Sequence, residues 1–257
     1  MLIDSHCHLE FSDFKDDFDS ILKKASDNGV EKMVTIGTKL STFHKAIKIA
    51  GNYSQVFCSV GVHPSHVHEE GVVSWEKIVA LCHHPKIIGI GETGLDYHYM
   101  RSSKEDQIAS FTAHIKAAQE TGLPLIVHTR DADEDTVSIL KSQMAIKSFK
   151  CLIHCFTSTD WLATECLKLG AYISASGIVT FKNAKDIQET INKVDINRLL
   201  IETDSPYLAP TPFRGKRNEP AYVKHVAEFI ADLKGLSFEE VAVATTNNFY
   251  KLFDKAN

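Results

Sequence analysis

Leu2-Ile3-Asp4-Ser5-His6-Cys7-His8 begins apolar and runs directly into side chains of metal-ligand type. That change recurs along the chain. Short runs rich in Val and Ile fall at Leu2–Asp4, Lys32–Ile36, Val56–Val60, Ile87–Ile90, Leu125–Val127, Cys151–Ile153, Ala171–Ser174 and Leu199–Ile201. Most are near-continuously apolar, as parallel strands buried on both faces must be. Most are also followed by a longer stretch with helical spacing. Ser41 precedes Phe43, Ala46, Ile47 and Ala50. Ser103 opens a run through Phe111, Ile115 and Ala118 that stops at Gly122, with Pro124 beyond it. Asn183 is expected to cap a helix over Ala184–Val194, and two more helices are expected at Pro220–Leu233 and Ser237–Phe253. Eight strand–helix alternations in 257 residues predict an α/β fold, a single (β/α)8 TIM-type barrel, with residues 1–257 as one domain. No Gly/Ser linker, charge block or repeat marks a second domain.

Apolar residues make up 44% of the chain and charged residues 24%, which suits a large buried core and excludes a disordered class. The net charge of −5 argues against capture of nucleic acid by the whole surface. It does not exclude a nuclease, because bound cations would place positive charge where it matters. Six cysteines occur without a CxxC pair. The first residues lack the basic and apolar regions of a signal peptide, and no apolar run approaches the ~20 residues needed to cross a bilayer. A reduced, cytoplasmic, non-membrane protein with buried thiols is therefore expected. A monomer without an obligate protein partner is the default expectation, since no amphipathic extension stands out.

In a barrel of this type catalytic groups sit at the carboxyl ends of the strands. Those ends carry His6 and His8, then His63, Glu92, His128 and His154, then Glu202 and Asp204. Residues two apart on a strand share a face, so Asp4, His6 and His8 can point into the mouth together, as can Glu202 and Asp204. Carboxylates there are costly to bury without partners. Neutral imidazoles and carboxylates around one axis make a site for Zn²⁺, Mn²⁺ or similar ions. Each piece alone reads blandly: an HxH pair is usually incidental, a lone His128 or His154 is usually a core histidine, and Glu92 beside a Gly turn is usually a surface charge. All of these bland readings would have to hold together at one end of one barrel. The other histidines, His44, His66, His68, His83, His84, His98, His114 and His225, read as mostly solvated.

The stretches DSHCHL (Asp4–Leu9), GVHP (Gly61–Pro64), GETGLDY (Gly91–Tyr97), PLIVHTR (Pro124–Arg130), HCFT (His154–Thr157), SGIVTFKNA (Ser176–Ala184) and ETDSPYLAP (Glu202–Pro210) closely resemble the TatD family of metal-dependent deoxyribonucleases. The resemblance continues into RGKRNEP (Arg214–Pro220). It implies the metal-dependent hydrolase barrel that amidohydrolases also use. It implies two divalent cations (Mg²⁺, Mn²⁺ or Zn²⁺) held by His6, His8, Glu92, His128, His154 and Asp204. Glu92 is the implied bridge, with His6, His8 and Asp204 completing one site and His128 with His154 the other. His63 is implied to contact the substrate phosphate or leaving group. One departure is visible: Ser158 follows HCFT where the family has Gly, next to the His154 loop.

The expected reaction is hydrolysis of DNA phosphodiesters through a water that two cations activate. Asp204 would orient that water and accept its proton. Glu202 reads equally as a group that orients a ligand and as one side of a salt bridge to Arg or Lys. Arg130, Arg214 and Arg217 are candidate phosphate contacts. The loop holding Arg214, Lys216 and Arg217 reads slightly better as a clamp paired with Glu219. Tyr97, Tyr99, Phe156 and Tyr207 are candidates to stack on bases, although packing under loops is the commoner role. Without a long basic groove, the expected substrate is an end of single-stranded DNA, or RNA. The 3′-to-5′ direction comes only from the resemblance. Two rivals stand beside it. One is ester or amide hydrolysis on the same metals, such as removal of D-amino acids from tRNA. The other is a metal-binding scaffold without catalysis.

Overall fold

A computed structural model describes residues 1–257. Eight strands form one sheet in sequence order: β1 (Leu2–Cys7), β2 (Val30–Thr35), β3 (Val56–Val60), β4 (Ile87–Asp96), β5 (Leu125–Arg130), β6 (Cys151–Ile153), β7 (Tyr172–Ala175) and β8 (Leu199–Ile201). Every neighbouring pair is parallel. The ring closes just beyond β8. There the Asp204 amide donates to the His6 carbonyl at 2.9 Å and the His8 amide to the Ser205 carbonyl at 2.8 Å. The architecture is the (β/α)8 barrel that the alternation predicts.

Ten α-helices wrap or close the ring: α1 (Phe18–Asp27), α2 (Phe43–Asn52), α3 (Val67–Glu70), α4 (Trp75–Leu81), α5 (Lys104–Thr121), α6 (Asp133–Ile146), α7 (Asp160–Lys168), α8 (Lys185–Lys193), α9 (Val223–Lys234) and α10 (Phe238–Leu252). Local chemistry sets their ends. Ser103 caps α5 by accepting from the Asp106 amide, and Gly122 ends that helix in the left-handed conformation. Ser237 and Glu240 form a reciprocal capping box at α10. The expected Asn183 cap is not made: α8 begins after Ala184 without a side-chain cap bond, and Asn183 lines the mouth cavity instead.

Two apolar clusters divide the interior. The larger fills the layer between strands and helices. The smaller takes Ile3, Val34, Ile88, Ile126, Leu152, Tyr172 and Leu200 from seven strands, with Ile36 just past β2, and adds Phe249 and Leu252 from the end of α10 with its C-cap Phe253. This cluster fills the barrel bore and leaves the carboxyl mouth for chemistry. No helix is long and apolar enough to cross a membrane.

One strand is much longer than its apolar run. β4 continues through the polar stretch Gly91–Asp96, pairing Thr93 with Val127, Gly94 with His128 and Asp96 with Arg130. Glycine is required twice here. Gly91 (φ +134°) and Gly94 (φ +136°) have backbone that L side chains rarely adopt, and a Cβ would lie 2.5 Å from the Ile126 carbonyl oxygen and 2.0 Å from that of His128. The two glycines let β5 approach β4 closely.

Candidate active site at the barrel mouth

Alternation along the β4 extension puts Glu92 and Asp96 on one face, with Gly94 between them. Glu92 is buried at the centre of the mouth. Its Oε2 lies 3.5 Å from His6 Nε2, while its Oε1 lies 2.7 Å from His154 Nε2, 3.0 Å from His128 Nδ1 and 3.4 Å from His63 Nε2. The two oxygens of one carboxylate thus face two different sets of imidazoles. Asp204, from the turn after β8, puts its Oδ1 3.3 Å from His8 Nε2 and 3.6 Å from His6 Nε2. The His6 and His154 rings stack at 4.0 Å.

Carboxylates stand behind several of these imidazoles. Asp96 Oδ2 is 3.1 Å from His128 Nε2, and Glu202 Oε1 is 3.4 Å from His154 Nδ1. Glu10 Oε1 is 3.7 Å from His8 Nδ1, and Glu10 itself accepts from the Thr35 hydroxyl at 2.6 Å. Glu202 is fully buried, accepts from the Ser174 hydroxyl and has no Lys or Arg partner, so the salt-bridge alternative does not describe it. Asp96 and Glu10 were not among the expected site residues. Asp96 had a signal, its i+4 spacing from Glu92, which the early strand end at Ile90 hid.

Charge is balanced within the cluster. Burial pushes the Glu92 carboxyl up, but the nearby imidazoles of His154 and His63 and the bond from His128 outweigh it and hold it well below the carboxylate range. Burial also opposes ionisation of Asp204, yet His8 and His6 hold its pKa down. His154 is disfavoured as a cation by burial but raised to about 10 by Glu92 and Glu202. His6 is lowered by burial and by His154. Asp96 is brought to about 2, its burial outweighed by His128 and the Tyr99 amide.

The donor set fits divalent cations. Both ring nitrogens of His6, both of His154 and Nδ1 of His8 are buried without a hydrogen-bond partner, which is expensive unless something else satisfies them. Ligand atoms of His6, His8 and Glu92 lie within 4.8 Å of one another, as do those of His63, Glu92 and His128, and those of His6, His154 and Glu202. His63 stands apart from the other imidazoles in one respect. Its Nδ1 accepts from the Ser65 amide at 3.0 Å, which puts the proton on Nε2 and aims a donor at the centre. Burial lowers its pKa to about 4, so the ring is neutral near pH 7.

The cluster opens into a cavity of about 1390 Å³. His8, His63, Glu92, His128, His154 and Asp204 line it, as do Arg130, Tyr97, Tyr99 and Tyr207. Other expected residues lie elsewhere. Asp4 is fully buried and accepts from the Thr203 amide at 2.9 Å and hydroxyl at 2.6 Å, outside the cavity wall. Phe156 is packed in the core. Arg214 and Arg217 do not reach the cavity. Arg214 lies over the Phe181 ring at 4.4 Å, and Arg217 grips both oxygens of Asp17 at 3.0 and 2.6 Å. The loop is a clamp, but Asp17 is the partner of Arg217, and Glu219 pairs with Lys24 at 3.3 Å. Ser158 donates to Asp133, as does Thr159 at 2.5 Å, so the departure at this position ties the loop after β6 to α6. His114 corrects the solvated expectation. It is fully buried on α5, donates from Nδ1 to the Ser110 carbonyl at 2.7 Å and accepts the Val62 amide on Nε2 at 3.0 Å. It therefore anchors the residue preceding His63.

Imidazoles and carboxylates gathered in this way at the carboxyl mouth of a (β/α)8 barrel are the equipment of metal-dependent hydrolases. Comparison with known proteins narrows that class. The profile of the TatD related DNase family matches residues 3–254, and the chain belongs to that family. YabD of Bacillus subtilis, described as an uncharacterized metal-dependent hydrolase, is 43% identical over 98% of this chain and 99% of its own. The 3′-5′ ssDNA/RNA exonuclease TatD of Klebsiella pneumoniae is 32% identical over 98% of this chain and 97% of its own. Among solved structures, the TatD homologue YjjV of Escherichia coli superposes with a TM-score of 0.92 at 29% identity, covering 98% of each chain. The protein is thus a TatD-family metal-dependent hydrolase.

Proposed function

We propose that this hydrolase shortens single-stranded DNA, or RNA, from the 3′ end by cleaving phosphodiester bonds with two divalent cations. The observation that carries the reading is the placement of Glu92, whose two oxygens face separate imidazole sets, as a bridging carboxylate requires. His6, His8 and Asp204 would hold one cation, and His128 and His154 the other, with Glu92 shared. Cations held there supply charge neutralisation for the phosphoryl oxygens and lower the pKa of water. The partly exposed Asp204 side chain orients the attacking water and accepts its proton. His63 donates from Nε2 to a phosphate or leaving-group oxygen, since the Ser65 amide occupies its other nitrogen. Asp96 and Glu202 fix the rings of His128 and His154 from behind. The relative named a 3′-5′ ssDNA/RNA exonuclease supports the substrate and the direction.

The test is degradation of a 5′-labelled single-stranded oligomer with Mg²⁺ or Mn²⁺ by the wild type and by Glu92→Gln. The expected result is a ladder that shortens from the 3′ end and is lost in the variant. An intact oligomer, with two ions still bound by metal analysis, would remove the nuclease reading and leave ester or amide hydrolysis.

A further inference from the structure

The cavity extends beyond the metal-ligand cluster, and its far wall differs in kind. Arg101, Lys104 and Arg130 line it, and none of them forms an ion pair, unlike Lys24, Lys39 and Arg217 elsewhere. The Arg130 guanidinium carbon lies 4.9 Å from the centre of the Tyr99 ring and that of Arg101 lies 5.8 Å from it. Tyr99 is 57% exposed although large and apolar. Three acidic groups on this wall have other partners. Asp131 lies 3.0 Å from His98 Nδ1, Asp133 accepts from Ser158 and Thr159, and Asp135 accepts from the Tyr97 hydroxyl at 2.7 Å. The two guanidinium groups are thus cations without a carboxylate partner, held beside an exposed ring.

Their position relative to the chemistry is fixed. The Tyr99 amide donates to Asp96 Oδ1 at 3.0 Å, and Oδ2 of the same carboxylate lies 3.1 Å from His128 Nε2. Arg130 follows His128 by two residues on β5. One carboxylate therefore places both a ligand-type imidazole and the aromatic loop. Planar forked donors beside an exposed ring match a phosphate joined to a base, the repeating unit of a single strand.

We propose that Arg101, Arg130 and Tyr99 form a subsite for the nucleotide adjoining the one under attack. The guanidinium groups take its phosphate, and the Tyr99 ring takes its base. The inference rests on the nucleic-acid reading above and adds to it a selectivity: an oligonucleotide is preferred to an isolated diester because only the oligonucleotide reaches this wall.

The experiment compares kcat/KM for a single-stranded DNA 12-mer with that for bis(4-nitrophenyl) phosphate, both with Mn²⁺. It uses the wild type, Arg101→Ala, Arg130→Ala, Arg130→Lys and Tyr99→Ala. Loss of one charged hydrogen-bonding contact (Arg101→Ala, Arg130→Ala) or of one stacked base (Tyr99→Ala) is expected to lower the oligomer-to-diester ratio about tenfold, through KM. Arg130→Lys is expected to recover part of it. The salt dependence of the oligomer KM is expected to flatten by about one phosphate contact for each arginine removed. An unchanged ratio overturns the subsite, and so does an equal fall on both substrates, which would mark the arginines as supports of the metal-ligand cluster. A wild type that degrades the 12-mer while the variants keep its ratio refutes the subsite alone. A wild type that cleaves the small diester and leaves the 12-mer intact refutes the nucleic-acid reading itself.

Discussion

His114 is buried on α5 with both ring nitrogens in use, and it accepts the Val62 amide only while neutral. Burial brings its pKa from 6.5 to about 4. The unfolded chain therefore takes up this proton first as the pH falls. The stabilisation is fully present above pH 6.5 and is lost progressively down to about pH 4. At about 1.4 kcal/mol per pH unit, the loss over that window comes to about 3 kcal/mol. His114→Gln keeps an acceptor for Val62 and a donor for Ser110 but does not titrate. The metal-free wild type and variant should be unfolded in urea at pH 7 and at pH 4 at fixed ionic strength. Imidazoles of the mouth titrate in both proteins and cancel in the difference. The stability difference between the two is expected to move by about 3 kcal/mol in favour of the variant on acidification. With an m value of about 3 kcal/mol/M for a chain this long, that is a relative shift in midpoint of about 1 M. A difference that holds to within about 0.5 kcal/mol would show that the ring does not resist protonation, and the anchoring role of His114 would fall with it.

Three further outcomes follow from the site. Glu202→Gln removes the carboxylate behind His154, and metal affinity measured by calorimetry is expected to drop about 10- to 100-fold; an unaltered affinity would separate Glu202 from the ligand set. Gly94→Ala sets a Cβ against the His128 carbonyl and should cost about 3 kcal/mol in urea unfolding, whereas a loss below about 1 kcal/mol would mean that β4 and β5 separate freely. Adding Mn²⁺ to chelator-treated protein at about a hundred times its dissociation constant should raise stability by about 3 kcal/mol, read as a thermal midpoint about 5–10 °C higher. No change in midpoint would mean that the mouth does not bind the ion.

The sequence was most legible where burial is purely apolar. β3, β6 and β8 end where their Val- and Ile-rich runs end. β4 was under-read because Glu92, Thr93 and Asp96 are buried polar residues, and polarity reads as loop until a charged centre explains it. The residues that line the mouth stood out as a set, because strand ends in a barrel converge whatever their separation along the chain. Partnerships such as Arg217 with Asp17 left no local mark, being 200 residues apart. His114 did leave one: with Phe111, Ile115 and Ala118 it keeps the spacing of the buried face of α5. A single imidazole on that face looks solvated only if the period is ignored.

The seam of the barrel also sets when the protein can begin to work. His6 and His8 are made almost two hundred residues before the backbone that closes the ring over them, Asp204 and Ser205. At about 5–20 residues per second a nascent chain carries its histidines for roughly 10–40 s before their carboxylate arrives. A prematurely terminated chain would keep most of the strands and have no complete centre. The fold thus withholds a complete centre until the last strand of the barrel has been made.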